Sequence, residues 1–190
     1  MFRRFHIEAR RVLAGICLVG MANSAQAILF DATGDPGHNT NAPTGALTAS
    51  GWTFEGEFSD FLGTAIAPHF FLTAIHIGGT TNTPFVMDGV NYFPDAHYDD
   101  PAIGSDLRLW HVPERLPRYA PTYTGIGEPG SPIIAIGRGT QRGEPVITDG
   151  LTNGWRWGTS DRLIRWGSNS VSRVVADGEA NYLYATFDHG

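Results

Sequence analysis

The chain has no lysine: all 13 of its basic residues are arginine. Lysine Schiff bases, lysine-activated serine nucleophiles and a P-loop lysine are thereby excluded. Cysteine is nearly absent too, with one copy at Cys17. No intrachain disulfide can form, and cysteine-bound zinc has no ligand set. Charged residues amount to only 17%, too few for a coiled coil or a charge-swollen disordered chain. Basic clusters are missing beyond the N-terminus and the formal net charge is −6, which argues against nucleic acid as a partner. Long apolar runs are missing as well. The stretch from Val12 to Ala22 is too short to span a bilayer as a folded helix.

What is present is a chain of 190 residues, 42% hydrophobic, with 24 Gly and 12 Pro. The length allows one domain and a small appendage. The glycine and proline content favours many short strands over long helices.

The N-terminus has the form of an address. Arg3, Arg4, Arg10 and Arg11 form a basic region, the short apolar run follows, and Ala25-Gln26-Ala27 is a small-residue cleavage signal. Residues 1–27 are therefore expected to be a secretory signal peptide, sending the remainder to the periplasm or the medium. Cys17 does not make this a lipoprotein signal, because Ile16 stands where a small residue should precede it. Cleavage after Ala27 removes the one cysteine and four of the arginines. An exported chain of this kind must rely on its apolar core in place of disulfides. No membrane span is expected in the mature chain, and the oligomeric state is open.

Residues 28–50 read as a loop-like leading arm rich in Gly, Asn, Thr, Asp and Pro. Asp31, Asp35 and Asn39 are oxygen donors at short spacing, but they fit no calcium-loop signature and read more simply as turn residues. From Trp52 onward, short apolar or alternating runs are separated by turn signals. Strands are expected from Trp52, over 62–67, over 70–75, and as a hairpin 85–87/90–93 across Asp88-Gly89, a dipeptide suited to a tight primed turn. Another is expected over 107–112. Pro113 to Glu128 holds three prolines and reads as a connector. Further strands are expected from 132–136, over 163–166, 171–175 and 182–187. No window carries a useful helical stripe. The pattern is all-β with a midpoint linker, as in two packed antiparallel β-barrels.

Chemistry concentrates at two strand ends. His76 follows the second of two apolar strands joined through Pro68. A histidine there is held rigidly and still reaches a cleft, as general-base work requires. Asp106 opens the strand Leu107 to Val112, where a carboxylate can accept the N–H of a neighbouring imidazole and fix its tautomer. Taken singly, each residue has an ordinary structural reading as well.

Their surroundings resemble one family. Gly63-Thr-Ala-Ile-Ala-Pro-His-Phe-Phe-Leu-Thr-Ala-Ile-His76 is similar to the catalytic-histidine segment of trypsin/chymotrypsin-like serine peptidases, with His76 on the catalytic position. Ser105-Asp-Leu-Arg-Leu-Trp-His-Val112 is similar to the segment carrying the catalytic aspartate, with Asp106 on it. Tyr92 to Asp100 resembles the stretch before that aspartate, Glu114 to Pro117 the start of the interdomain linker, and Ile133 to Thr140 the first strand of a second barrel. The resemblance covers roughly residues 50–140, and the remainder more loosely. It implies a leading arm and first barrel over 28–118, a linker over 119–131, and part of a second barrel over 132–190. It implies peptide-bond hydrolysis with a protein or peptide as substrate and no cofactor.

The chain also departs from the family. Ile77 stands where many members carry a disulfide cysteine, Ile75 is bulkier than usual, and Arg108 replaces a small or apolar residue. No activation-site sequence precedes the first barrel, although signal cleavage would expose Ile28. Asp99 and Asp100 compete with Asp106 but read as turn residues before Pro101; His111 lies on the strand in opposite phase to Asp106, and His69 in a turn. No His-Glu-x-x-His zinc signature occurs. Above all, the Gly-Asp-Ser-Gly-Gly nucleophile segment is absent. Ser160 and Ser168 lack glycines placed to free an oxyanion hole and read as strand or turn serines. The expectation is a chain truncated before its catalytic serine and inactive alone, the full-length form being a serine endopeptidase. The alternatives are an inactive binding module on the same fold, or a secreted β-protein that stacks glycans on Trp155, Trp157 and Trp166.

Overall fold

The computed structural model describes residues 33–102, 104–177 and 180–186. The expected signal peptide, with Cys17, and both Ile28 and Asp31 lie outside them. The architecture is all-β and antiparallel, as expected. Seven strands occupy the first half: β1 (Glu55–Phe58), β2 (Phe61–Ala67), β3 (Phe70–Ala74), β4 (Phe85–Met87), β5 (Val90–Tyr92), β6 (Ala96–Asp99) and β7 (Leu107–His111). They form one sheet in the order β5-β4-β1-β2-β3-β7-β6. The second half holds β8 (Pro132–Thr148) and β9 (Leu151–Ser170), paired as one long ribbon, and β10 (Arg173–Asp177) with β11 (Ala180–Tyr184) as a short hairpin. The described residues thus form one seven-stranded sheet and two two-stranded ones.

Alternation of side chains across strands builds the core. Phe58, Ala65, Phe71, Phe85, Met87, Tyr92 and Trp110 come from six of the seven strands and form one buried cluster, joined by Val112 and Leu116. Tyr92 lies on edge strand β5 and Trp110 near the opposite edge, so sharing one cluster requires the sheet to curl. The rings interlock: Phe71 stacks on Phe85 at 4.2 Å between centroids, and Phe58 lies 5.0 Å from Trp110. The Trp110 indole N–H donates to the Thr73 hydroxyl at 2.9 Å, so this buried donor is satisfied. Gly56 has no room for more: a Cβ there would lie 2.4 Å from the Phe85 ring.

The expected hairpin is found at β4–β5. Asp88 and Gly89 both have positive φ, 53° and 74°, the backbone of a primed two-residue turn. Other boundaries differ. Trp52–Phe54 is a single 3-10 turn, and the strand begins only at Glu55. β3 ends at Ala74, one residue early, because Ile75–Ile77 turns into another 3-10 helix. The runs expected from 132–136 and over 163–166 are parts of β8 and β9, far longer than their apolar cores. The strand expected over 171–175 runs from Arg173 to Asp177, because the Val171 and Ser172 amides bond outside the ladder, to Ser131 and Tyr184 carbonyls. The last strand is Ala180–Tyr184.

The leading arm lies against the ribbon. Arg165, 4% exposed, donates Nε and Nη2 to the Pro36 carbonyl at 3.1 and 2.6 Å. It also holds the Asp161 carboxylate, with Nη1 to Oδ1 at 3.1 Å and Nη2 to Oδ2 at 2.5 Å. Asn39 and Trp166 exchange two bonds, and the Trp166 indole donates to the Asn41 carbonyl at 2.9 Å. Two ion pairs tie the ribbon to the first sheet, Arg138 with Glu57 and Arg162 with Asp60.

Candidate functional site

β3 and β7 are neighbours, with Ala74 opposite Leu107. The residues just beyond these two ends, His76 and Asp106, are therefore brought together. The Ile75 amide donates to the Asp106 carbonyl at 2.7 Å, extending the ladder by one bond. The chain then turns through the 3-10 helix and swings the His76 ring over the carboxylate. Asp106 Oδ1 accepts the His76 main-chain N–H at 3.0 Å, while Oδ2 meets the ring Nδ1. Asp106 thus fixes both the backbone and the ring of His76 and leaves the far nitrogen, Nε2, facing away from the carboxylate.

Gly78, at φ 70°, and Gly79, at φ 97°, end the turn. A Cβ on Gly79 would lie 2.3 Å from the Phe58 ring, so glycine lets the chain pass close to the core. Ile77 packs against the core cluster.

Both partners are half exposed, at 49% of their side-chain surface. Burial pushes the Asp106 carboxyl up, but hydrogen bonds from the His76 ring and main chain, the His76 charge and the Ile75 amide outweigh it. The group is held below its ordinary value and stays ionised beside the imidazole. An ionised acceptor at Nδ1 selects the tautomer with the proton on Nδ1 and the lone pair on Nε2, which is the form able to accept a proton from a nucleophile.

The loop before Asp106 is tied by its own side chains. Asp100 Oδ1 accepts the Ala102 amide at 3.1 Å, the Asp100 amide donates to the Leu107 carbonyl at 3.0 Å, and Ser105 Oγ accepts the Leu107 amide at 3.3 Å. Asp99 is not a turn residue. It lies on β6 and takes a two-point grip from Arg108, at 2.5 and 2.8 Å. Arg108, the unusual neighbour of Asp106, is accounted for by this pair and by its place over the Trp110 ring at 5.4 Å.

A second histidine–carboxylate contact lies at the other end of β7, where His111 Nδ1 meets Asp95 Oδ1 at 2.5 Å. His69 stacks beside His111 at 6.1 Å, with its Nδ1 3.3 Å from the Val112 carbonyl. The residue types alone do not reveal this pair, because Asp95 sits in a Pro-Asp turn. Of the oxygen donors in the arm, Asp35 caps the Gly37 amide at 2.8 Å in a local turn and Asn39 binds the ribbon. No group of three or more His, Cys, Asp or Glu among the described residues is arranged to hold a metal ion.

The candidate serines lie in the ribbon, Ser160 opposite Thr140 and Ser168 opposite Ile134. Among the described residues no serine is hydrogen-bonded to His76, whose bonds go to Asp106. Of the three tryptophans weighed as stacking platforms, Trp166 is committed to the arm, Arg142 lies over Trp155 at 4.4 Å, and Trp157 is half exposed. No helix among the described residues is long and apolar enough to cross a membrane.

No family model and no curated protein matches this chain. Among solved structures, a mutant of human heparin binding protein is similar at 16% sequence identity, with a TM-score of 0.46. The similarity covers 64% of this chain and 60% of that one, so the present chain spans about three fifths of that neighbour's length.

Proposed function

We propose that this chain carries the general base and its orienting carboxylate for an exported serine endopeptidase. The observation that supports this most is the double contact of Asp106 with the ring and main chain of His76. A carboxylate that only neutralised a histidine would need the ring contact alone. Gripping the main chain as well fixes where the imidazole points.

In the proposed reaction a serine Oγ attacks the carbonyl carbon of a peptide bond, and its proton passes to His76 Nε2. Asp106 remains ionised and stabilises the imidazolium. His76 then hands the proton to the leaving amine as the C–N bond breaks, leaving an acyl-serine. Water repeats the sequence: its proton goes to Nε2, its oxygen to the acyl carbon, and the serine recovers its proton.

No Gly-Asp-Ser-Gly-Gly occurs in these residues, and the proposal assigns neither the nucleophile nor the oxyanion donors to any of them. The proposal takes residues 1–27 as an export signal, supported by their basic region, short apolar run and Ala25-Gln26-Ala27, with the activity in the periplasm or the medium.

The test is to read the coding sequence past Gly190 and express the longer product. A Gly-Asp-Ser-Gly shortly downstream, labelling by a fluorophosphonate probe, and a loss of several orders of magnitude in kcat on His76→Ala support the proposal. The 190-residue chain should not label. A stop codon directly after Gly190, or near-unchanged activity in the His76 variant, overturns it and leaves a non-catalytic binding module.

A further inference from the structure

The hydroxyl of Tyr182, on β11, donates to the Gly104 carbonyl at 2.8 Å. Gly104 lies two residues before Asp106, at φ 84°, with nothing within 4 Å of the position a Cβ would take. Among the described residues, Asp100, Ala102 and Ser105 bond within the first sheet's own connection. Tyr182 belongs to a different sheet, 78 residues further along the chain. Its hairpin is closed by five paired positions from Arg173↔Tyr184 to Asp177↔Ala180. The Ser172 amide also donates to the Tyr184 carbonyl at 2.7 Å, tying the hairpin's base to the ribbon end.

We infer that Tyr182 is a positioning residue for the His76–Asp106 pair: it couples the β10–β11 hairpin to the loop that carries Asp106. The inference rests on the proposed role of that pair. The physical reasoning is direct. Asp106 is held on its C-terminal side by the β3–β7 ladder and its Ile75 bond, and an exposed loop leads into it. Gly104, with positive φ and no side chain to pack, adds little stiffness of its own to that loop. A hydrogen bond to its carbonyl restricts the peptide plane just ahead of Ser105 and Asp106. Removing the hydroxyl keeps the ring and deletes only this bond, which frees the loop.

The experiment is an NMR comparison of the 190-residue chain with its Tyr182→Phe variant. The observed signal is the low-field resonance of the His76 Nδ1–H in its bond to Asp106. Tyr184→Phe is the control, because it makes the same chemical change on the same hairpin and Tyr184 contacts the Arg173 guanidinium through its ring face. Tyr182→Phe is expected to raise solvent exchange of that proton roughly fivefold and to move its resonance, with the melting temperature nearly unchanged. Tyr184→Phe should leave the resonance as it is. An unmoved resonance in a folded Tyr182→Phe chain, or equal effects from both variants, overturns the inference. If the longer product proves inactive while Tyr182→Phe still loosens the His76 bond, the coupling stands and the peptidase reading fails. Absence of any His76–Asp106 signal in the parent chain overturns both.

Discussion

Asp106 reaches His76 through both of its carboxylate oxygens, one to the ring and one to the main chain. Asp106→Asn keeps the shape but replaces one acceptor oxygen by an N–H donor. In a longer, active product this change should lower kcat by about 10⁴-fold, because the imidazole loses its tautomer. The pair also shapes acid stability. The Asp106 carboxyl titrates below its ordinary value in the folded chain. Its contribution is therefore full above the unfolded value of 3.8 and is lost as the pH falls through the folded one. Urea unfolding between pH 6 and the acid limit, compared with Asp106→Asn, should show a shallower acid limb in the variant.

Glu55 titrates in the opposite direction. Burial pushes its carboxyl up from 4.5 to about 7, against a smaller pull from the Thr64 hydroxyl. The folded chain binds the proton more tightly than the unfolded one, so this group's contribution is greatest below pH 4.5 and falls as the pH rises to about 7. Glu55→Gln should remove that slope and raise stability at pH 8 by roughly 1–3 kcal/mol. Denaturant midpoints at pH 5 and pH 8 check this. A variant less stable than the parent at pH 8 contradicts it.

Arg165 is the most buried cation named here, and its four bonds join the arm, the ribbon and Asp161. Arg165→Met should cost about 3 kcal/mol, since it leaves a mostly buried carboxylate without its partner. It should also open residues 33–42 to cleavage by a non-specific protease. The Asp161 carboxyl is lowered to about 2, chiefly by Arg165. Its stabilisation is present above 3.8 and disappears between that value and about 2. Asp161→Asn should abolish this loss at low pH.

Thr73 and Trp110 form a sealed pair in the first sheet. Thr73→Val should cost about 1–3 kcal/mol by leaving the indole N–H unsatisfied. Trp110→Phe leaves the hydroxyl its bond to the Ala74 carbonyl at 3.3 Å and costs chiefly a packing loss. The double variant should cost less than the two changes added together, because the second removes a group the first had already orphaned. Additive losses in urea unfolding contradict the pairing.

The first sheet was legible in the sequence where burial imposes alternation. β2, β3, β4 and β7 carry fully or partly buried residues at every second position, and their runs stand out among the turn signals. β6 was missed because its residues are mostly exposed. An edge strand held by its ladder and by the Arg108–Asp99 pair needs no apolar period. The ribbon was read only in fragments for the same reason: few of its positions are buried, and its register shifts four times. The site residues were legible because His76 and Asp106 lie in motifs. The anchoring of the arm was not, since Arg165 and Trp166 bind main-chain carbonyls of Pro36 and Asn41, and a carbonyl has no residue identity to read.

A two-stranded ribbon as long as β8–β9 is marginal in water unless something lies along it. Here the lining is the arm that reads in the sequence as a loop-like lead. A clone begun after Asn41 to tidy the N-terminus would strip that lining and leave Arg165 with two of its four bonds and Trp166 without its three bonds to the arm. Residues 33–42 behave as a splint, and the boundaries of any expressed piece are set by them more than by the first strand.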